Sequence, residues 1–477
     1  MNSGMNRRSF LTRTAFAAGA VSTTGIISQS AFSMPRRAIG GDKLNVVQIG
    51  CGGRGGGSHI PEVIGKHKQN LYAIVDPNEK KHAEVKRWLD RQNLDSSKTQ
   101  IFTDYRQMFD KIGKQVDAVF IAAPNHHHAP AAMIAMQLGI NVYCEKPVCH
   151  DVAEARKMRE MALVNQKIAT QMGNQGHCME EYRKLCEWIW SGVIGKVTET
   201  HSWTDRANGG IGPRPPSLPV PAGLNWDSWI GPAPFRDYHT DIDPHEWHGW
   251  YDFGNGSIGN MGCHILDGVF WALRIEHPSS IEAEYIRGGS SERYPTGSRI
   301  RWDIPARGDM APLKVYWYEG LNKSTTAEPA GNLHAARGDA RNLPPILENL
   351  KKQYPDEEWN IHDGFTVYIG EKGVIYTGCY GDRVHVLPFD KPQPQIAKTL
   401  PRPKDIFTDF ISACLESRSN TAVGFDYGTR LTEFAILGNL AQHVPEGTKL
   451  IWDGPNMKVT NHKEINEWLK RPYRAGW

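Results

Sequence analysis

At 477 residues the chain is longer than one hydrophobic core usually supports, so two domains are expected. Its 40% hydrophobic and 22% charged residues describe an ordinary globular composition, and no apolar run reaches the roughly 20 residues that a membrane-spanning helix needs. The formal charge of +3 equals the three arginines Arg7, Arg8 and Arg13, because residues 1–33 hold no Asp, Glu or Lys; the remainder is neutral, which removes any electrostatic reason to bind nucleic acid.

In chain order, Asn6-Arg7-Arg8-Ser9-Phe10-Leu11-Thr12 precedes a weakly apolar stretch, Ala15 to Phe32. Paired arginines, Phe-Leu and a modest apolar region resemble a twin-arginine export signal over residues 1–33, cleaved after Ser30 or Ser33, which makes the expected location periplasmic. The eight cysteines are scattered, with no CxxC and no zinc-like spacing, and suggest small buried hydrophobes instead of a disulfide framework.

The apolar run Leu44–Ile49 ends in Gly50-Cys51-Gly52-Gly53-Arg54-Gly55, a GxGxxG directly after a strand. Gly50 permits the tight turn, Gly52 a close approach to a pyrophosphate, and Gly55 close packing of the next helix; Gly53 and Arg54 share the loop. The next strand, Leu71–Val75, ends in Asp76, 21 residues after Gly55. An acid there accepts the ribose hydroxyls of NAD and repels the 2′-phosphate of NADP, so NAD is the expected cofactor. A strand at Val116–Ile121 leads to Pro124-Asn125-His126-His127-His128, a helix at Ala129–Leu138, a strand at Asn141–Cys144, and Glu145-Lys146-Pro147. This alternation predicts a doubly wound parallel sheet over residues 42–173, with Pro124, Asn125, His128, Glu145 and Lys146 at strand ends where ligands bind. The three adjacent histidines cannot easily point at one ion, so no metal site is expected; His128, one residue before the helix, is best placed to face the cofactor.

Beyond this sheet, Asn174 follows the last strand and is a candidate for the nicotinamide amide, with His177 and Tyr182 close behind it. The alternating stretches Lys196–Trp203, Ile281–Ile286 and Leu313–Tyr318 predict half-buried strands. Between them, residues 204–257 are rich in Gly, Pro, Trp and His and predict long loops over the site. Trp203, Arg206, Tyr238, His239 and Trp250 suit a sugar, whose C–H faces stack on aromatics and whose hydroxyls take polar groups; most of the tryptophans are expected in the core.

GxGGRG, the Asp76 strand end, Pro-Asn-His-x-His and Glu-Lys-Pro, then Gly256 to Asp267 and Tyr473-Arg474-Ala475-Gly476-Trp477, resemble in this order the Gfo/Idh/MocA (glucose–fructose oxidoreductase / inositol dehydrogenase) family, in its exported branch. The resemblance implies an N-terminal Rossmann domain, a second α/β domain over 174–455 with a large, mostly antiparallel open sheet, a tail over 456–477, and self-association through the second sheet. It implies catalytic roles for Lys146, beside the nicotinamide and the substrate hydroxyl, and for His264. In the family's dehydrogenases an Asp stands four residues before that His; here it is Asn260, which leaves Asp267 as an alternative partner. Three activities are weighed: an NAD-dependent oxidoreductase making a keto-sugar, at carbon 3, from a sugar or glycoside; an NAD-dependent glycosidase that oxidises, eliminates, hydrates and re-reduces; and a non-catalytic sugar-binding protein. The intact GxGxxG, Asp76 and Lys146 speak against the third. Export further implies a cofactor held tightly enough to stay through many turnovers.

Overall fold

The computed structural model describes residues 41–477 apart from 213, 243–245, 324–335, 356–358, 360, 362 and 389–390. The export motif at Arg7 and Arg8 therefore lies outside the described residues.

The first sheet has six parallel strands: β1 (Asn45–Ile49), β2 (Asn70–Val75), β3 (Gln100–Phe102), β4 (Ala118–Ile121), β5 (Asn141–Glu145) and β6 (Thr170–Gly173). Their order is β3-β2-β1-β4-β5-β6, so the order in which strands are added reverses between β1 and β4 and a crevice opens there at the strands' carboxyl ends. β4 and β5 are buried along their whole length, because helices cover both faces; hence the continuous apolar runs in the sequence. The helices are α1 (Gly55–Lys66, wound as a π-helix with Pro61 inside), α2 (Glu79–Arg91), α3 (Tyr105–Ile112), α4 (Asn125–Gln137) and α5 (Val152–Val164). Local chemistry starts three of them. Asn78 and Asp104 accept the first free N–H groups of α2 and α3, and Asp151 with Glu154 closes a capping box on α5.

After α6 (Glu180–Trp190), a second sheet of nine strands runs from β7 (Val197–Thr204) to β15 (Lys458–Val459). Its middle is β8 (Ser280–Arg287), β9 (Gly297–Ile304) and β10 (Leu313–Gly320), then β11 (Phe365–Gly370), β12 (Gly373–Gly378), β13 (His385–Val386) and β14 (Lys449–Asp453). Every pairing is antiparallel except β7 with β10. One face packs on helices: α8 (Cys263–Ile265), α9 (Asp267–Ala272), α11 (Ile406–Leu415) and α12 (Phe425–Leu440) share one continuous core with both sheets. The other face carries a smaller core, in which α10 (Ile346–Gln353) sets Leu347 and Leu350 against Trp203, Tyr318 and Phe365.

The Trp-rich connection between β7 and residue 257 folds back on itself. Trp226, Trp229, Tyr238, Trp250 and Phe253 form a separate buried cluster around the short helix α7 (Trp226–Ile230). Its aromatic residues exist to bury one another, as most large rings do.

Candidate functional site

A cavity of about 470 Å³ opens at the carboxyl ends of β1, β2, β4 and β5. At one end lies the glycine loop. Gly50 has a φ of +80°, and a Cβ there would sit 2.5 Å from the Ala122 carbonyl oxygen; a Cβ on Gly55 would sit 1.9 Å from that of Gly50. Gly52 and Gly53 meet nothing within 4 Å and line the cavity. Two glycines therefore fold the loop, and two leave open an unfilled cradle of the kind a pyrophosphate needs. Asp76, buried at the end of β2, accepts the N–H groups of Cys51 at 2.8 Å and Asn78 at 2.9 Å and still lines the cavity. Burial pushes its carboxyl above the usual range, and those two backbone donors oppose the rise. The donor set fits NAD: an open glycine turn for the phosphates and a carboxylate for the ribose.

At the other end, Lys146 follows Glu145 on β5, and its bond to Pro147 is cis. Burial tends to raise the Glu145 carboxyl, but the His59 hydrogen bond at 2.8 Å and Arg54 at 3.2 Å outweigh it and hold the group at about 2. Glu145 is thus an anion beside a lysine that burial drives below its usual value. The Lys146 amine donates to the backbone carbonyl of Asn260 and, at 3.4 Å, to its side-chain oxygen. Asn260 in turn donates to Asn208 at 2.8 Å, which fixes the orientation of its amide. Both acceptors belong to Asn260, which fixes where the amine sits on the cavity wall.

His264 also lines the cavity, and burial together with the nearby Lys146 charge holds its ring well below the ordinary histidine value. The ring is therefore neutral at neutral pH. Its tautomer follows from what stands behind it. The Asn174 amide nitrogen donates to Cys263 and Asp267 carbonyl and carboxylate oxygens, each at 2.9 Å, so its oxygen must face His264 Nδ1, 2.7 Å away. Nδ1 carries the hydrogen and Nε2 is the acceptor.

Asp267 does not touch His264. It accepts from Asn174, from His177 Nδ1 at 2.9 Å and from the Tyr427 hydroxyl. The expectation that Asp267 replaces the missing carboxylate is therefore corrected: Asn174 takes that place, and Asp267 anchors Asn174. Nor does Asn174 line the cavity as a cofactor contact.

Of the five residues expected to take the sugar, Arg206 alone lines the cavity. Trp203 is wholly buried against Phe365 on the far side of the second sheet. Tyr238 and Trp250 belong to the connection's own core, and His239 is buried against Trp250. Tyr182 donates its hydroxyl to the His264 backbone carbonyl, and His177 faces a different cavity, stacked on Trp271. Gly55 packs and does not line. His128 lines the cavity from within the first turn of α4, not before it, with its ring nitrogens 2.7 Å from the Pro147 and Ala123 carbonyls. Among the described residues, no group of three His, Cys, Asp or Glu side chains could hold a metal ion.

The sequence reading missed Gln175, Asn208, Trp247, His248 and Tyr380, which also line the cavity. Trp247 and His248 sit in the stretch flagged as loops over the site, which was their one signal. Tyr380, in the turn after β12, carries no local signal at all.

Residues 44–173 match a family model described as an oxidoreductase family with an NAD-binding Rossmann fold, and residues 186–288 match that family's C-terminal alpha/beta domain. The chain is 28% identical over 241 residues to a D-xylose 1-dehydrogenase (NADP(+)) of Hypocrea jecorina, covering 50% of this chain and 55% of the relative. It is 26% identical over 206 residues to a glycosyl hydrolase family 109 protein of Shewanella pealeana, covering 40% and 44%. The chain thus spans about half the length of the curated relatives it matches. The fold is that of the WlbA dehydrogenase from Bordetella pertussis, solved with NADH and UDP-GlcNAcA: TM-score 0.55 and 14% identity, covering 86% of this chain and 99% of that one.

Proposed function

We propose, taking as premise that this chain belongs to the Gfo/Idh/MocA oxidoreductase family with its NAD-binding Rossmann fold, that it oxidises a ring hydroxyl of a sugar or glycoside to a ketone with a cofactor it does not release. One observation carries the reading. The open glycine cradle, Asp76, Lys146 and the Nε2 side of His264 all face a single cavity.

Bound NAD supplies the hydride acceptor and can return the hydride. The protein's own residues manage the proton. Lys146, whose hold on its proton burial weakens, is placed to take the proton of the substrate hydroxyl. His264 Nε2, held by Asn174, offers a second acceptor with a fixed direction. Arg206 and Trp247 line the same cavity, where they can take hydroxyls and a C–H face of the sugar. The twin-arginine signal supports a periplasmic location.

A second reading, a glycosidase that oxidises, eliminates and re-reduces, is favoured by Asn260. Asn cannot ionise, so a proton taken from substrate stays on Lys146 or His264, which suits a cycle that gives it back. The relative described as a glycosyl hydrolase family 109 protein supports it too. Incubation with nitrophenyl glycosides, together with a keto-sugar acceptor that takes the hydride back from the bound cofactor, separates the two: keto-sugar product accumulates as the acceptor is reduced in the first, nitrophenolate is released without need of the acceptor in the second. Neither product from any sugar tested, or equal turnover by Lys146→Met, sinks the catalytic reading.

A further inference from the structure

Two segments distant in sequence meet over the Asp76 end of the cavity. The corner after β2 is stitched to the Trp-rich connection: Glu79 N–H donates to the Gly223 carbonyl and Asn225 N–H to that of Pro77, both at 2.8 Å. These bonds set α7 beside the corner, and Ser228 and Trp229 line the cavity from it. The segment Arg471–Trp477 packs against the same helix. Tyr473 donates to Glu154 at 2.7 Å, and the Arg474 guanidinium meets Asp227 of α7 at 2.6 Å and the Gly231 carbonyl at 3.1 Å. Arg474 N–H adds a bond to the Pro232 carbonyl at 2.8 Å.

This anchoring delivers the Trp477 ring to the cavity wall, beside Tyr105 and His127 at centroid distances of 5.8 and 6.0 Å. Arg106 locks it there. Its guanidinium carbon lies 3.4 Å from the Trp477 ring centroid, one nitrogen donates to the Gly476 carbonyl at 2.7 Å, and another pairs with Asp104 at 2.6 Å. A cation stacked on an indole and tied to a carboxylate is a rigid wall, not a loose tail.

In this fold the carboxylate at the end of β2 marks the adenosine ribose, so the wall stands where the adenosine half of the cofactor lies. We infer that Trp477 is an adenosine-binding residue, and that α7 and residues 471–477, joined through Arg474 and Asp227, form a strap that must part before the cofactor leaves. The inference rests on the reading of a retained cofactor and deepens it: it names what retains it. Bases stack on aromatic faces at a cost of roughly 1–3 kcal/mol on truncation, which corresponds to about tenfold or more in affinity.

The test strips full-length protein of nucleotide, reloads it, and measures NAD release and the binding of ADP-ribose, which has the adenosine half but no nicotinamide. Trp477→Ala and Arg474→Ala should each speed NAD release and weaken ADP-ribose about tenfold, with Trp477→Phe restoring most of the loss. Arg474→Ala reads the strap through a residue that does not itself line the cavity, so a folding defect in the Trp477 variant does not decide the outcome. Wild-type release and ADP-ribose affinity in both alanine variants overturn the inference. If unaltered protein sheds its NAD on desalting while both variants still weaken ADP-ribose, the retention reading falls and the wall stands. If all three retain NAD equally and bind ADP-ribose equally, retention stands and the wall falls.

Discussion

At the scale of single residues, Asp76 and Asn260 decide the most. Asp76 gives its two carboxylate oxygens to Cys51 and Asn78 N–H groups, so the carboxylate is held in place before a ribose arrives. Asp76→Ala removes both the ribose acceptor and the charge that repels a 2′-phosphate; NAD affinity should fall and the NAD-over-NADP preference should shrink in a titration of stripped protein. An unchanged preference refutes the assignment. Asn260 puts a neutral amide where the family's dehydrogenases have a carboxylate, and Lys146 is driven down by burial, with Glu145 foremost among the charges that oppose it. Asn260→Asp places an anion against the amine and stabilises its protonated form. If neutral Lys146 is the base, the rising limb of the kcat/KM–pH profile should move to higher pH by about 1 unit. A limb that stays in place, in a variant that still turns over, assigns the proton to another group.

At the scale of elements, legibility followed range. β1, β2, β4 and β5 were readable because strands buried on both faces are short apolar runs, and the residues punctuating them, Gly50, Asp76, Glu145 and Lys146, sit at the ends where this fold binds ligands. α4 began four residues earlier than its apolar content suggested, since Asn125 to His128 are buried polar residues in its first turn. The partner of His264 was out of reach: Asn174 lies 90 positions away, and only the packing of α8 against the end of β6 brings them together. Trp203, Tyr238 and Trp250 misled because aromatic rings serve cores as readily as sugars. The start of α5 yields a separate prediction. Burial first, then the Asp151 charge, raises the Glu154 carboxyl to about 8, although it accepts the Tyr473 hydroxyl and the His150 N–H. A folded value above the unfolded one means its stabilisation is complete below the ordinary carboxylate range, near 4.5, and is lost as pH climbs through about 8. The thermal midpoint should therefore fall by on the order of a few °C between those limits, and the fall should flatten in Glu154→Gln. An equal slope in both proteins places the titration elsewhere.

At the scale of the whole molecule, the two sheets do not behave as separable halves. One hydrophobic core runs from β1 through α5 and α12 into β9, and Trp302 meets Phe434 with a centroid distance of 5.3 Å. Such continuity argues against wide opening of the crevice in each cycle, since hinge motion needs an interface with little apolar burial. It agrees with a cofactor that stays. Under the proposed twin-arginine export, the chain folds before it crosses the inner membrane, and NAD enters while the surroundings still contain it. Outside there is no expected supply to exchange with, so an enzyme that let reduced nucleotide go after one turnover would stop. The redox cycle must then close on the protein, within one substrate or through a second keto-sugar acceptor. Purified protein should accordingly carry close to one equivalent of NAD(H) through desalting and turn over with none added. Recovery of nucleotide-free protein that needs millimolar NAD, and steadily accumulates the reduced form in solution, would contradict retention and remove the main physical argument linking this active site to export.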